Sequence, residues 1–180
     1  MTYSIVARDP RTGELGVAVQ SHAFSVGPIV PWAEAGVGAV ATQAFADVSY
    51  GPLGLERMRE GVPAADALSA LVAADKNAAR RQVAMVDATG AAAAHTGASC
   101  ILHAGHRIGD GVSVQANMME RQTVPDAMLA AYESAQGTLA ERLLTALDAA
   151  EAEGGDIRGR QSSSMVVVSG TRSDRPWAHR

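Results

Sequence analysis

The chain has 180 residues, enough for one ordinary domain with a sizeable core. Hydrophobic residues make up 47% and charged residues 19%, which excludes a disordered chain. The net charge is −4 and Lys76 is the only lysine, so a nucleic-acid surface is not expected.

Tyr3 to Arg8 is β-branched and alternating and predicts a strand. Asp9-Pro10-Arg11-Thr12-Gly13 is dense in turn formers, and Leu15 to Gln20 resumes a strand, giving a hairpin. Ser25 to Val30 and Val37 to Gln43 read as two further strands. They carry so little charge that both faces of each are expected to be covered. Gly51 to Glu60 predicts a short helix ended by Gly61, and Pro63 to Ala74 a second with Leu68, Leu71 and Val72 on one face.

Gln82 to Asp87 and Ala91 to His95 predict a second hairpin around Ala88-Thr89-Gly90. Its turn echoes the first, as shared turn chemistry without a sequence repeat. Ile101 to Gly111 reads as a loop with some strand character, and Val112 to Asn117 as a strand. Thr123 to Asp126 opens a helix reaching about Gln136. Thr138-Leu-Ala-Glu141 is a capping box for another, whose Leu139, Leu143, Leu144 and Leu147 form one apolar stripe up to Gly154-Gly155. Ser164 to Ser169 is the last strand, and the tail from Gly170 is expected to be loose. Runs of strands and runs of helices argue for an α+β fold of antiparallel sheets packed against helices, in one domain.

Cys100, the single cysteine, excludes an internal disulfide and fits a reducing compartment. Arg8 and Asp9 come too early for a signal-peptide core, and no apolar run approaches the roughly 20 residues of a membrane helix. A cytoplasmic protein without membrane association is expected.

Four groups of residues could carry chemistry. Removal of an initiator Met before a small residue would leave Thr2 with a free α-amine beside its hydroxyl, a nucleophile with its own base. The plainer reading of Thr2 is a strand former. Gln115 and Asn117, two apart on a strand with Ser113 upstream, point the same way and could stabilise an oxyanion. They could equally be a hydrogen-bonded strand end. Asp156-Ile-Arg158-Gly-Arg160-Gln161-Ser162 could grip a substrate carboxylate, or close on itself through an Asp–Arg pair.

Cys100 with His103 and His106 could be a metal site or a Cys–His pair, but no second cluster supplies four ligands, and no metal is expected. Thr42 and Gln43 end an apolar strand, where site residues often lie. No cofactor is expected either. Gly51-Pro52-Leu53-Gly54 lacks the Lys-Ser/Thr of a phosphate loop, and no helix follows Gly105 to Gly111 as a dinucleotide fingerprint requires.

Taken together, Tyr3 to Asp9, Gly16 to Val19, Val30-Pro31-Trp32, Gly38 to Gln43 and Tyr50-Gly51-Pro52 form an ordered set. It continues through Thr96-Gly97, Cys100, Gly105-His106, Ser113 to Gln115, Asn117 and Gly155-Asp156 to Ser162. In these motifs, over nearly its whole length, the chain resembles the bacterial and archaeal family called domain of unknown function 1028. That family is similar in fold to the Ntn hydrolases, which include proteasome subunits and N-terminal-nucleophile amidases.

The resemblance implies a four-layer α-β-β-α sandwich with Thr2 at the nucleophile position. It also implies that the Gln115/Asn117 strand and the Arg158–Gln161 loop border the cleft. The expected activity is hydrolysis of a small amide or peptide, with Thr2, Gln115 and Asn117 catalytic. Thr42, Gln43, His106, Arg158, Arg160 and Gln161 are the expected substrate contacts. The alternative is a non-catalytic scaffold of the same fold that binds a small ligand or partner. A homo-oligomer is expected by analogy.

Three departures stand out. Ala116 replaces the usual Gly between Gln and Asn. Lys76, expected in a loop, does not match the lysine beside a proteasome threonine. The final strand and helix that relatives carry after the stretch at Asp174 to Trp177 would fall beyond Arg180.

Overall fold

The computed structural model describes residues 2–173. Nine strands and four helices follow in the order β1 (Thr2–Arg8), β2 (Leu15–Ser21), β3 (Pro31–Glu34), β4 (Gly38–Ala44), α1 (Tyr50–Arg59), α2 (Ala64–Ala74), β5 (Arg81–Asp87), β6 (Ala92–Thr96), β7 (Gly105–Gly109), β8 (Val112–Asn117), α3 (Val124–Ser134), α4 (Leu139–Ala152) and β9 (Ser162–Val168). The strands form two antiparallel sheets, one ordered β7-β8-β1-β2-β9 and the other β3-β4-β5-β6.

Period-two alternation decides how the sheets stack. On β1, Tyr3, Ile5 and Ala7 join a core with Met128 of α3 and Leu139 and Leu143 of α4. The opposite face of the same strand sends Val6 into a core with Val17 and Val19 of β2 and Ala39, Ala41, Ala84 and Val86 of the second sheet. On β4 and β5, Val40, Val83 and Met85 turn outward to Leu55 and Met58 of α1 and Leu68 of α2. The two sheets therefore face each other, with α3 and α4 outside one and α1 and α2 outside the other. The expected α+β class with antiparallel sheets is what forms.

Most elements lie where the sequence puts them, including the Thr138–Glu141 capping box, which is present in both directions. Ser25 to Val30 is not a strand. Gly27-Pro28 interrupts it, Ser25 takes a left-handed φ of 59°, and Ile29 and Val30 both donate to the Val26 carbonyl in a tight turn. The strand begins instead at Pro31, where the missing N–H is tolerated because β3 is an edge strand. Gly51 of α1 lies directly against Trp32 of β3; a Cβ there would come within 2.3 Å of the indole.

Part of the Ile101–Gly111 loop is the edge strand β7. Leu144 does not share the buried stripe of Leu139, Leu143 and Leu147; it is 51% exposed. The tail is anchored as far as it is described, because the Arg172 guanidinium donates to the carbonyls of Arg59 and Gly36. Asp174 to Trp177 lie outside the described residues. Among those described, no helix is long and apolar enough to cross a membrane.

Candidate functional site

The same alternation places Thr2 and Ser4 of β1 between the two sheets. Antiparallel register sets Asn117 opposite Thr2 and Gln115 opposite Ser4. In the facing sheet, register pairs Gln43 of β4 with Gln82 of β5, and Gln82 with Thr96 of β6. The result is a buried polar layer at one end of an otherwise apolar interface.

Every member of this layer is tied to others, as burial demands. Gln43 Nε2 donates to Gln82 Oε1 at 2.7 Å and lies 3.2 Å from the Thr2 carbonyl and 3.3 Å from that of Gln115. Ser4 Oγ donates to Gln43 Oε1 at 2.7 Å and accepts from Gln115 Nε2 at 2.6 Å. Ser113 Oγ donates to Gln115 Oε1 at 3.2 Å. Asn117 Nδ2 donates to the Thr2 carbonyl at 3.3 Å and to Gln82 Oε1 at 3.0 Å, which commits both of its protons. Gln82 Nε2 reaches the carbonyls of Ala116 and Gly105 and the Thr96 hydroxyl at 2.9 to 3.1 Å.

Thr2 stands at the outer end of this layer. It is 5% exposed, its carbonyl is held by Gln43 and Asn117, and its Oγ1 is 3.0 Å from the Ser21 hydroxyl. Ser21 in turn accepts the Gln161 amide at its carbonyl, which brings the Asp156–Gln161 loop to the same end. There the buried Asp156 carboxylate accepts the Arg158 N–H at 2.9 Å and is 3.5 Å from its guanidinium. His22 Nδ1 is 3.2 Å from the Gly159 carbonyl. The loop thus closes on itself through the Asp–Arg pair.

His106 faces its register partner Gln115, and its Nδ1 is 2.9 Å from the Thr96 hydroxyl. Burial, then the neighbouring Arg107 and His95, push its pKa below the usual histidine value, so the ring is neutral at neutral pH. Cys100 is not paired with either histidine of its run. Its thiol donates to the Arg81 carbonyl, and His103 Nδ1 lies 2.9 Å from the Met119 carbonyl. Burial raises the Cys100 pKa, which disfavours a thiolate. Among the described residues, no group of three His, Cys, Asp or Glu side chains could hold a metal.

The structure therefore brings together Thr2, Gln43, His106, Gln115 and Asn117, with Arg158 and Gln161 in the loop beside Thr2. Thr42 is not with them. Alternation turns it to the helix side of β4, where its hydroxyl donates to the Asp47 carbonyl. Arg160 also lies apart, on the helix side of the five-stranded sheet, 3.9 Å from Glu151 of α4. Lys76 sits in a turn after α2. The Ala116 methyl is fully buried in the core under α3 and α4.

Sequence reasoning missed Ser4, Ser21, Gln82 and Thr96. Their signal was a polar residue at an inward position of an otherwise apolar strand, readable only once the inward face is known.

The loops at this end share two further properties. Ser25, Ala44, His103 and Met118 have φ between 55° and 66°, and they are the only non-glycine residues with positive φ among those described. Ala44 ends β4, Met118 follows β8, His103 comes two residues before β7, and Ser25 lies in the turn between β2 and β3; strain of this kind collects at functional sites. The same loops expose large apolar side chains, with Phe24 87% and Leu102 82% exposed, beside Phe45 and Ile101. Phe45 is fixed from below by Arg80, 4.0 Å over its ring, and by a hydrogen bond from Arg81 to its carbonyl.

Residues 2–179 match the family described as a family of unknown function, DUF1028. No curated protein matches the chain. The crystal structure of protein SPO2555 from Silicibacter pomeroyi, of the same family, superposes with a TM-score of 0.88 at 31% identity, over 98% of this chain and 81% of that one. With that match over nearly its whole length, the chain belongs to the DUF1028 family.

Proposed function

We propose that the protein is an N-terminal-nucleophile amidohydrolase acting on a small amide or peptide, with an Ntn-hydrolase-like sandwich as its frame. The observation that carries this reading is the placement of Thr2. It opens a central strand between the two sheets, with its carbonyl held by two buried amides and its hydroxyl 3.0 Å from that of Ser21. A nucleophile so held loses little freedom when it reacts.

Once Met1 is removed, the Thr2 α-amine takes the hydroxyl proton as Oγ attacks the substrate carbonyl, and delivers it to the leaving amine. The resulting ester on Thr2 is then hydrolysed by water. Asn117 and Gln43 act here as positioning residues, since their donors are committed to the Thr2 carbonyl and to Gln82. Gln115 is fully buried and donates to Ser4, so the oxyanion role expected of the Gln115–Asn117 pair falls in this reading to backbone amides. Arg158, partly exposed in the adjoining loop, is the group for an acidic substrate end. The apolar rim of Phe24, Phe45, Ile101 and Leu102 favours a substrate with an apolar part, and is the surface that self-association would cover.

A second reading, a non-catalytic scaffold that binds a small ligand or partner, is favoured by one observation. The polar layer is almost wholly satisfied internally, and Thr2 is 5% exposed. Screening the native protein and Thr2→Ala against a panel of acyl amides and peptides separates the two. The hydrolase reading expects Thr2→Ala to fold normally and lose all turnover. Turnover retained in that variant sinks it.

A further inference from the structure

The end of the molecule remote from Thr2 carries a cleft of about 660 Å³. It opens between the β1–β2 turn and the linker from α3 to α4. The seven residues of β1, about 20 Å of strand, separate it from Thr2. Arg142 of α4 forms part of its wall. The Arg142 guanidinium is stacked 4.2 Å over the buried Tyr132 ring, and the side chain is only 17% exposed. None of its N–H groups makes a hydrogen bond among the described residues. Its ion-pair partner, Asp9 Oδ2, is 4.0 Å away, beyond hydrogen-bond reach. Of its three nitrogens Nε alone is both buried and unpaired, so the two terminal nitrogens keep access to the cleft.

Asp9 does not complete that pairing. Its Oδ1 accepts the Arg11 and Thr12 N–H groups and its Oδ2 the Arg11 guanidinium at 3.3 Å, so the carboxylate is committed to its own turn. A largely desolvated guanidinium, fixed by stacking and open at its fork, is suited to a carboxylate. The opposite charge is unpaired too. Glu14 and Glu133 line the same cleft with no cation at ion-pair distance among the described residues. Glu141, also on the wall, is tied into the cap of α4. This excess of carboxylates repels phosphate and other multiply charged anions.

We infer that this cleft binds a dipeptide zwitterion with small or polar side chains. The ligand carboxylate takes the terminal nitrogens of Arg142, and its ammonium pairs with Glu14 and Glu133. The cleft carries its unpaired charges on separate elements, Arg142 on α4, Glu14 in the hairpin and Glu133 on α3. That spread suits the two ends of a peptide better than the adjacent charges of a single amino acid. Thr12, Ala135 and Gln136 give the rest of the wall its small and polar character. The volume lies within the range of about 300–1,000 Å³ for small-molecule sites. The site does not depend on any activity at Thr2.

The test is an NMR shift titration at neutral pH with three probes: glycylglycine, glycylglycinamide, which lacks the carboxylate, and N-acetylglycylglycine, which lacks the ammonium. The proposal expects saturable shifts with glycylglycine in the native protein, centred on residues 9–14 and 135–142, and the same affinity in Thr2→Ala. It expects each blocked peptide to bind at least about tenfold more weakly. Arg142→Gln should lose about tenfold for glycylglycine and no longer distinguish it from glycylglycinamide. Absence of saturable shifts in the native protein, equal binding of a blocked peptide, or native affinity in Arg142→Gln overturns the proposal. If Arg142→Gln does not fold, a variant carrying Glu14→Gln and Glu133→Gln takes its place. Loss of the preference for glycylglycine over N-acetylglycylglycine in that variant supports the site, and an unchanged preference overturns it.

Discussion

Gln43 shows how a single polar residue organises the inter-sheet layer. It bonds Ser4 across the sheets, Gln82 on the next strand and the Thr2 carbonyl. Gln43→Leu keeps the size but strands the Ser4 hydroxyl and removes one of the two donors on Thr2. We expect a loss of about 3 kcal/mol in urea unfolding, with the midpoint shifted and the slope unchanged. His106 belongs to the same layer and gives a pH signature. Its folded pKa is lowered by burial, then by Arg107 and His95, so the unfolded chain binds the proton more tightly. Its contribution to stability is complete above the ordinary value of 6.5 and is lost as pH falls from there toward the lowered pKa. Unfolding midpoints measured across that window should decline on acidification in the native protein and stay level in His106→Gln.

Turns at the element ends are built with one device. Asp9, Asp47, Asp75, Asp87 and Asp156 each accept the amide two residues ahead. Asp87 does more than close its hairpin. Its Oδ1 accepts from Thr89 and Ala91, and its Oδ2 accepts the Ala64 N–H that opens α2, so one carboxylate joins the β5–β6 turn to a helix start. Burial alone would raise its pKa, but these bonds outweigh it and hold the carboxyl below the usual range. Asp87→Ala should cost about 2–4 kcal/mol in chemical unfolding, against a few tenths for an exposed substitution such as Asp66→Ala.

Features of this local kind were legible in the sequence. The two Asp–Gly hairpins and the Thr138–Glu141 box carry their signal within a few residues. Ser25 to Val30 misled because its β-branched residues outweighed the Gly27-Pro28 break. Gln82 and Thr96 were invisible as site members because only the pairing of β4, β5 and β6 sets them opposite Thr2 and Asn117. Thr42 and Gln43 looked equivalent as neighbours at a strand end; the pleat sends one to α1 and the other to the site.

At the scale of the molecule, the five-stranded sheet separates a polar inner layer from an apolar outer core. Its inner face carries Thr2, closed in by the second sheet and ringed by strained, apolar loops. Its outer face packs under α3 and α4. A reactive inner face needs a free amine on Thr2. The most direct measurement is the intact mass of the purified native protein, with its N-terminal peptide sequenced. With Thr2 as the nucleophile, Met1 is absent and the native protein begins at Thr2. Full retention of Met1 would contradict it, since the Thr2 nitrogen would then be an amide with no basicity to offer the hydroxyl.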